Sequence, residues 1–255
     1  MMNNGALGAG HLMETEIVPL GDTALVVKLG EAIHPAVNQK VRQLADYLEK
    51  NPFRWMVEYV PAFTSVTLYY DIMRLLSELG GTREQEEVVY PFELAAAFVR
   101  DELRKLEGTG LPPSRVIQIP VCYGGELGPD LTEVAEHHGL TPEEVIEIHT
   151  SADYLVYMLG FAPGFAYLGG MSERIATPRR QTPRLSIPAG TVGIAGDQTG
   201  VYPLETPGGW QLIGRTPIEL FRPGQMPPTL LGAGDTVRFY PISRGQFDAW
   251  EEVTR

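Results

Sequence analysis

The stretch Pro188–Pro217, PAGTVGIAGDQTGVYPLETPGGWQLIGRTP, sets the short apolar runs TVGIAG, GVYPLE and WQLIG between turns made from glycine, proline, Asp197 and Gln198. Apolar runs of this length, punctuated by Gly and Pro, read as strands joined by tight turns. The texture continues outward: VYMLGF and LSIPAG lie upstream, IELF and TVRFYPI downstream. Many short strands with little helix predict an antiparallel β-barrel-like domain. Before the strands come VIQIPVCY and two short helical pieces, Asp130–His138 and Thr141–His149. Each helix opens on an acceptor suited to N-capping, and Thr141-Pro142 with Glu144 three residues on is a capping box.

The chain before residue 108 has a different texture. Strands are expected at EIVPLG, ALVVKL, Met56–Val60 and SVTLYYD, and helices over Pro35–Lys50 and Tyr90–Leu106. In the first helix Val37, Val41, Leu44, Ala45 and Leu48 recur on one face. This is an α+β unit with helices against one side of a sheet. GTGLPPS cannot prolong the second helix, so residues 108–115 read as a linker. The expected organisation is a flexible leader at 1–15, an α+β domain at 16–107 and a barrel at 116–255. The leader has neither the basic nor the apolar segment of a secretory signal.

With 255 residues and 44% hydrophobic content the chain can bury two modest cores, and no apolar run of 18 residues exists to span a bilayer. Its net charge of −12 opposes nucleic-acid binding, which draws on clustered Lys and Arg. The one cysteine, Cys122, excludes an internal disulfide framework and fits a reducing, cytoplasmic compartment.

All four lysines (Lys28, Lys40, Lys50 and Lys105) precede the linker, so the β-rich half has no lysine for a Schiff base or a P-loop. Its cations are arginines, which present rigid forks to carboxylates and phosphates. Arg179, Arg180, Arg184 and Arg215 sit among Pro/Gly turns. They read either as clamps for an anionic substrate or as surface ion pairs; as clamps, Arg179, Arg184 and Arg215 are expected to converge with Gln198 at one rim of the barrel mouth. His149, at a helix end, reads either as a general acid–base or as a structural histidine, held by the helix dipole or buried. His137 and His138 read as solvent-exposed. Asp197, Gln198 and Glu205 occupy turns that either face a ligand or form local Asx-type bonds. Gly164 belongs to the GFAPGF turn, and the aromatics Phe161, Phe165, Tyr167 and Trp210 read as core or as pocket walls. HExxH, CxxC and GxSxG motifs are absent from the sequence.

Four segments together, GFAPGFAYLGG, PRRQTPR, PAGTVGIAGDQTG and PGGWQLIGRTP, closely resemble the KipI family, the group that includes the B subunit of 5-oxoprolinase and the allophanate hydrolase subunit 1 domain. GDTAL and VPAFTS extend the resemblance from about Glu16, and it reaches about Ile242. Ala166 departs from it, standing where the family pattern has proline. The resemblance implies an α+β N-terminal ferredoxin-like domain plus a C-terminal cyclophilin-like β-barrel. It also implies two partners, a KipA-type subunit (the C subunit of 5-oxoprolinase) with a LamB/YcsF-type subunit (its A subunit), which together with this chain open 5-oxoproline to glutamate using ATP and Mg2+. Under it His149, Arg184 and Arg215 are expected to be catalytic, and Arg179, Arg180, Gln198, Gly164 and Phe165 to bind substrate or anion, with no metal ligand assigned. Two other branches stay open. One is an inhibitor of sensor histidine kinase autophosphorylation, the other a urea- or allophanate-related carboxyltransferase component.

Overall fold

The computed structural model describes residues 15–80, 90–106, 110 and 114–254, with side chains through Trp250. The leader and the linker expected from the sequence fall almost wholly outside those residues. The chain divides into two compact units, Met1–Pro112 and Pro113–Arg255.

In the first unit β1 (Glu16–Pro19), β2 (Ala24–Lys28), β3 (Met56–Pro61) and β4 (Ser65–Tyr70) form an antiparallel sheet of order β1-β2-β4-β3. Val66, Leu68 and Tyr70 alternate inward along β4, as period-two geometry requires. Helix α1 (Pro35–Lys50) starts where Pro35 needs no amide partner and His34 Nδ1 accepts from the Ala36 N–H. It buries Val41, Leu44 and Leu48, the face expected from the sequence. Helix α2 (Ile72–Leu79), capped by Asp71, is an addition to the expected elements. It is only eight residues long, too short for periodicity to announce it. Helix α3 (Pro91–Leu106) adds Ala95, Ala96 and Val99 to the same core.

The second unit is a closed barrel of order β10-β7-β6-β13-β5-β12-β9. Its strands are β5 (Val116–Tyr123), β6 (Tyr154–Leu159), β7 (Ala166–Gly169), β9 (Thr191–Ala195), β10 (Gln198–Val201), β12 (Gln211–Arg215) and β13 (Thr236–Pro241). β8 (Arg184–Ile187) and β11 (Thr206–Gly208) form a separate two-stranded ribbon. The barrel is not wholly antiparallel as expected: β5 and β13 run parallel from Val116↔Thr236 to Val121↔Pro241. They are the first and last strands of the unit, so no hairpin fixes their direction. A forked Arg115–Asp235 ion pair and the Ser114 Oγ to Gly234 carbonyl bond secure their start.

Helix α4 (Leu131–His138) ends at Gly139 with φ +65°, whose amide reaches back to the Ala135 and Glu136 carbonyls. Helix α5 (Pro142–Thr150) opens with the expected capping box, Glu144 N donating to Thr141 Oγ1 and Thr141 N to Glu144 Oε2. Helix α6 (Arg244–Thr254) is a further addition to the expected elements, and IELF forms only an isolated bridge at Phe221.

Candidate functional site

The motif TPRRQTPRL becomes a strap from Thr177 into β8, tied down at three points. Gly196 N donates to the Thr177 carbonyl at 2.8 Å, Arg180 N to the Gly209 carbonyl at 2.7 Å, and Gln211 Nε2 to the Pro178 carbonyl at 3.0 Å. Beneath it lies Asp130, almost wholly buried. Asp130 makes no capping bond with its side chain, contrary to its expected role at the start of α4. Instead Arg184 donates to both its oxygens, Nη1 to Oδ2 at 2.9 Å and Nη2 to Oδ1 at 2.7 Å. Arg180 Nη1 donates to Oδ1 at 3.1 Å, and the Leu212 amide to Oδ2 at 2.7 Å. The fork expected of Arg184 for a substrate anion is thus filled by a carboxylate of the chain itself. A forked pair with a backbone donor on the same carboxylate is among the strongest polar contacts a fold can make.

A cleft of ≈470 Å3 opens beside this anchor, bounded by Glu133 and His137 of α4, by Arg179, Arg180 and Gln181 of the strap, and by Gln211 of β12. Arg179 is exposed on its rim. Arg180 Nε and Gln211 Oε1 are shielded from solvent and have no hydrogen-bond partner among the described residues. The orientation of the Gln211 amide is fixed, because only its NH2 can donate to the Pro178 carbonyl. His138 departs from the exposed position expected: it is half-buried, with Nε2 3.1 Å from Thr177 Oγ1. Burial, its largest influence, lowers its pKa.

The remaining expected site residues lie elsewhere in the barrel. Gln198 pairs with Ala195 and Arg215 with Thr191, so they stand at opposite ends of β9. At about 3.3 Å per residue that separates their backbones by roughly 13 Å, and the two side chains do not share one rim as expected. Arg215 Nε donates to the Ala189 carbonyl at 2.9 Å, and its guanidinium lies 6.0 Å from the Phe247 ring centre. Gly164 needs its positive φ of +81°, and a Cβ there would meet Phe221 Cβ at 3.0 Å. Phe165 and Trp210 belong to a small buried cluster with Ile187 and Tyr202, whereas Phe161 is 67% exposed at a φ of +68°. Glu205 Oε1 accepts from Ser186 Oγ. Cys122 is buried, and its pKa is raised, chiefly by burial.

His149 is fully buried. Thr199 Oγ1 donates to the Gly193 carbonyl, so it accepts from His149 Nε2 at 2.9 Å; Nδ1 therefore accepts from the Tyr123 hydroxyl at 2.8 Å. The ring is the neutral Nε2–H tautomer, and burial lowers its pKa to about 3. Tyr154, Phe239 and Tyr123 surround it. With both nitrogens engaged and no access to solvent, this imidazole fits a core residue and not the proton carrier expected of it.

Asp130 and Gln211 are the residues that sequence reasoning misses. Asp130 reads from the sequence only as a cap, and Gln211, inside the WQLIG run, only as part of a strand. The buried face of β12 holding a polar Gln211 between Trp210 and Leu212 is the available signal. Among the described residues no group of three His, Cys, Asp or Glu side chains is placed to hold a metal ion, and no helix is long and apolar enough to cross a membrane.

With strap, ribbon and barrel in this arrangement, the chain belongs to the family of carboxyltransferase domains, subdomain C and D, which it matches over residues 15–231. It is similar to the B subunit of 5-oxoprolinase from Bacillus subtilis (strain 168), at 52% identity over 93% of this chain and 97% of that one. The same-named protein of Escherichia coli O157:H7 is 43% identical, covering 89% and 95%. A urea amidolyase of Lachancea kluyveri is more distant, 26% identical over 91% of this chain and 14% of its own length. The crystal structure of TTHA0988 superposes with a TM-score of 0.70 at 35% identity, over 86% of this chain and 40% of that one.

Proposed function

We propose that this chain is the B subunit of an ATP-dependent 5-oxoprolinase, acting with KipA-type and LamB/YcsF-type partners to open 5-oxoproline to glutamate. The observation that carries this reading is the nearly end-to-end similarity, at 52% and 43% identity, to proteins named as the B subunit of 5-oxoprolinase. The likeness to urea amidolyase covers a small part of a much longer chain and carries less weight. The ferredoxin-like reading of the first unit is supported by its split β-α-β arrangement, in which α1 joins β2 to β3 and β4 lies between those strands. The cyclophilin-like reading of the second is supported by its closed barrel. A free, buried cysteine supports a reducing, cytoplasmic setting.

Opening a lactam requires cationic donors for the substrate carboxylate and for oxygens that gain charge. The arginines of the strap supply such donors in this chain. Asp130 and Arg184 act as its frame: their ion pair holds Arg180 and the strap against β12, which places Arg179 at the cleft without occupying it. ATP would supply the activation of the lactam. The residues here do not fit Mg-ATP by themselves, because the second unit has no lysine and the described residues hold no carboxylate cluster to share a cation. We therefore assign the nucleotide and magnesium to contacts shared with, or made by, the partner proteins.

The test is reconstitution. Co-expression with a KipA-type partner gives a stable complex, and addition of the LamB-type partner, ATP and 5-oxoproline releases glutamate and ADP. The chain alone is inactive. Failure to copurify, or ATP-dependent turnover by the isolated chain, overturns the assignment.

A further inference from the structure

Two orphan atoms in one cleft specify a ligand by their chemistry. Gln211 is 5% exposed, its NH2 committed to the Pro178 carbonyl and its Oε1 left without a donor. Arg180 Nη1 is committed to Asp130 and, at 3.5 Å, to Glu133 on the cleft wall, and its Nε lacks an acceptor. Other orphan atoms, such as Trp55 Nε1 and Tyr70 OH, sit in the apolar core of the first unit. Here the residues that carry a free acceptor and a free cationic donor, Gln211 and Arg180, both line the same ≈470 Å3 cleft, with exposed Arg179 beside them. A buried polar atom without a partner is unfavourable, so a ligand that satisfies both atoms gains relative to water or a simple ion.

We propose that this cleft is a subsite for a small amide acid, reading its amide N–H with Gln211 Oε1 and its carboxylate with Arg180 and Arg179. An inorganic anion satisfies the arginine and leaves Gln211 unpaired. A neutral amide does the reverse. A cyclic amide bearing a carboxylate on the carbon next to its nitrogen satisfies both from one face. Gln211 thereby sets specificity for the N–H, and Arg179 contributes charge that does not depend on it. The ligand reaches the shielded atoms through side-chain movement in the cleft, while the strap stays tied at Thr177 and Gly209. Naming 5-oxoproline as the occupant rests on the function proposed above; the amide-acid chemistry rests on the cleft.

The experiment compares 5-oxoproline with its lactone analogue, in which the ring N–H is replaced by oxygen at nearly constant shape. Each is titrated calorimetrically into the full chain and into the chain bound to its KipA-type partner. A site that pairs a buried acceptor with a substrate N–H rejects an analogue lacking it strongly, so a preference of about tenfold or more for the lactam is expected. In Gln211→Met the preference falls to within about twofold, and in Arg179→Ala both ligands weaken alike. In the unaltered chain, the 15N-labelled Gln211 side-chain amide signal shifts with the lactam and much less with the lactone, an arm that needs no variant. Equal affinity for the two ligands, a preference that survives in Gln211→Met, or no binding to either the chain or the complex overturns the subsite. Lactam preference without turnover by the reconstituted complex retains the subsite and removes the proposed function. Turnover without lactam preference does the opposite.

Discussion

His149 and Gln211 are both polar side chains buried in the second unit, and they differ in how completely they are paired. Around His149 the chain Tyr123–His149–Thr199–Gly193 gives both ring nitrogens a partner. At Gln211 and Arg180 one atom of each is left over. Burial by itself therefore does not distinguish a structural residue from a ligand-binding one. A saturated polar network fixes a core, whereas an incomplete one beside a cleft is where an incoming molecule can add a bond.

The largest effect expected from breaking this arrangement is at Asp130. Asp130→Ala removes the acceptor of two guanidinium groups and one backbone amide. It should destabilise the second unit by about 2–4 kcal/mol, somewhat below a fully buried pair because both arginines keep partial exposure. Urea unfolding followed through Trp210 measures this. A loss under about 0.5 kcal/mol, the level of an ordinary surface substitution, would show that the strap does not depend on the anchor.

His149→Leu comes next. It orphans the Tyr123 hydroxyl but leaves Thr199 bonded to the Gly193 carbonyl, so a loss of about 1–3 kcal/mol is expected. Turnover per folded complex should change by less than about threefold, since general acid–base groups typically contribute about 10²–10⁴. A hundredfold fall with stability intact would reverse the comparison and return His149 to the chemistry.

Much of this fold is legible in the sequence because periodicity and caps are local signals. The apolar face of α1, the capping box of α5 and most barrel strands lie where their patterns indicate. The β5–β13 parallel pairing is not legible, since it joins strands from opposite ends of the second unit. For the site, the sequence singles out the arginine-rich motif but not the division of labour within it. Arg180 and Arg184 turn toward Asp130, 50 and 54 positions away in the chain, while Arg179 remains at the cleft. The convergence expected of Gln198 and Arg215 fails because strand register puts them at opposite ends of β9. The glycines follow local geometry more simply: at Gly208, the last residue of β11, a Cβ would lie 2.4 Å from the Tyr202 hydroxyl, so a side chain there would have to displace the buried Tyr202 ring.

A smaller effect sharpens the contrast between the two arginines. Arg184→Lys keeps the charge but loses the second of two parallel bonds to Asp130, which should cost about 1 kcal/mol of stability. If Arg184 instead contacted substrate, its lysine variant would lose activity at unchanged stability, and the split between the two readouts decides.

The smallest expected signal is the absence of one. An unfolded histidine titrates near pH 6.5, whereas burial lowers His149 to about 3 in the folded chain. The folded state therefore favours the neutral ring. Its contribution to stability is complete above about pH 6.5 and is lost progressively as pH falls toward 3, because only the unfolded chain takes up the proton in that interval. From pH 8 to pH 5 the imidazole carbon and nitrogen signals of His149 should stay those of the Nε2–H tautomer. Over the same interval the unfolding free energy of the unaltered chain should fall more steeply with acid than that of His149→Leu, by up to about 1.4 kcal/mol per pH unit below 6. A His149 midpoint between pH 6 and 7 would mean that the ring takes up a proton within the fold. The comparison with Gln211 would then fail at its better-satisfied end, because a ring that accepts that proton must give up the bond it now receives from Tyr123.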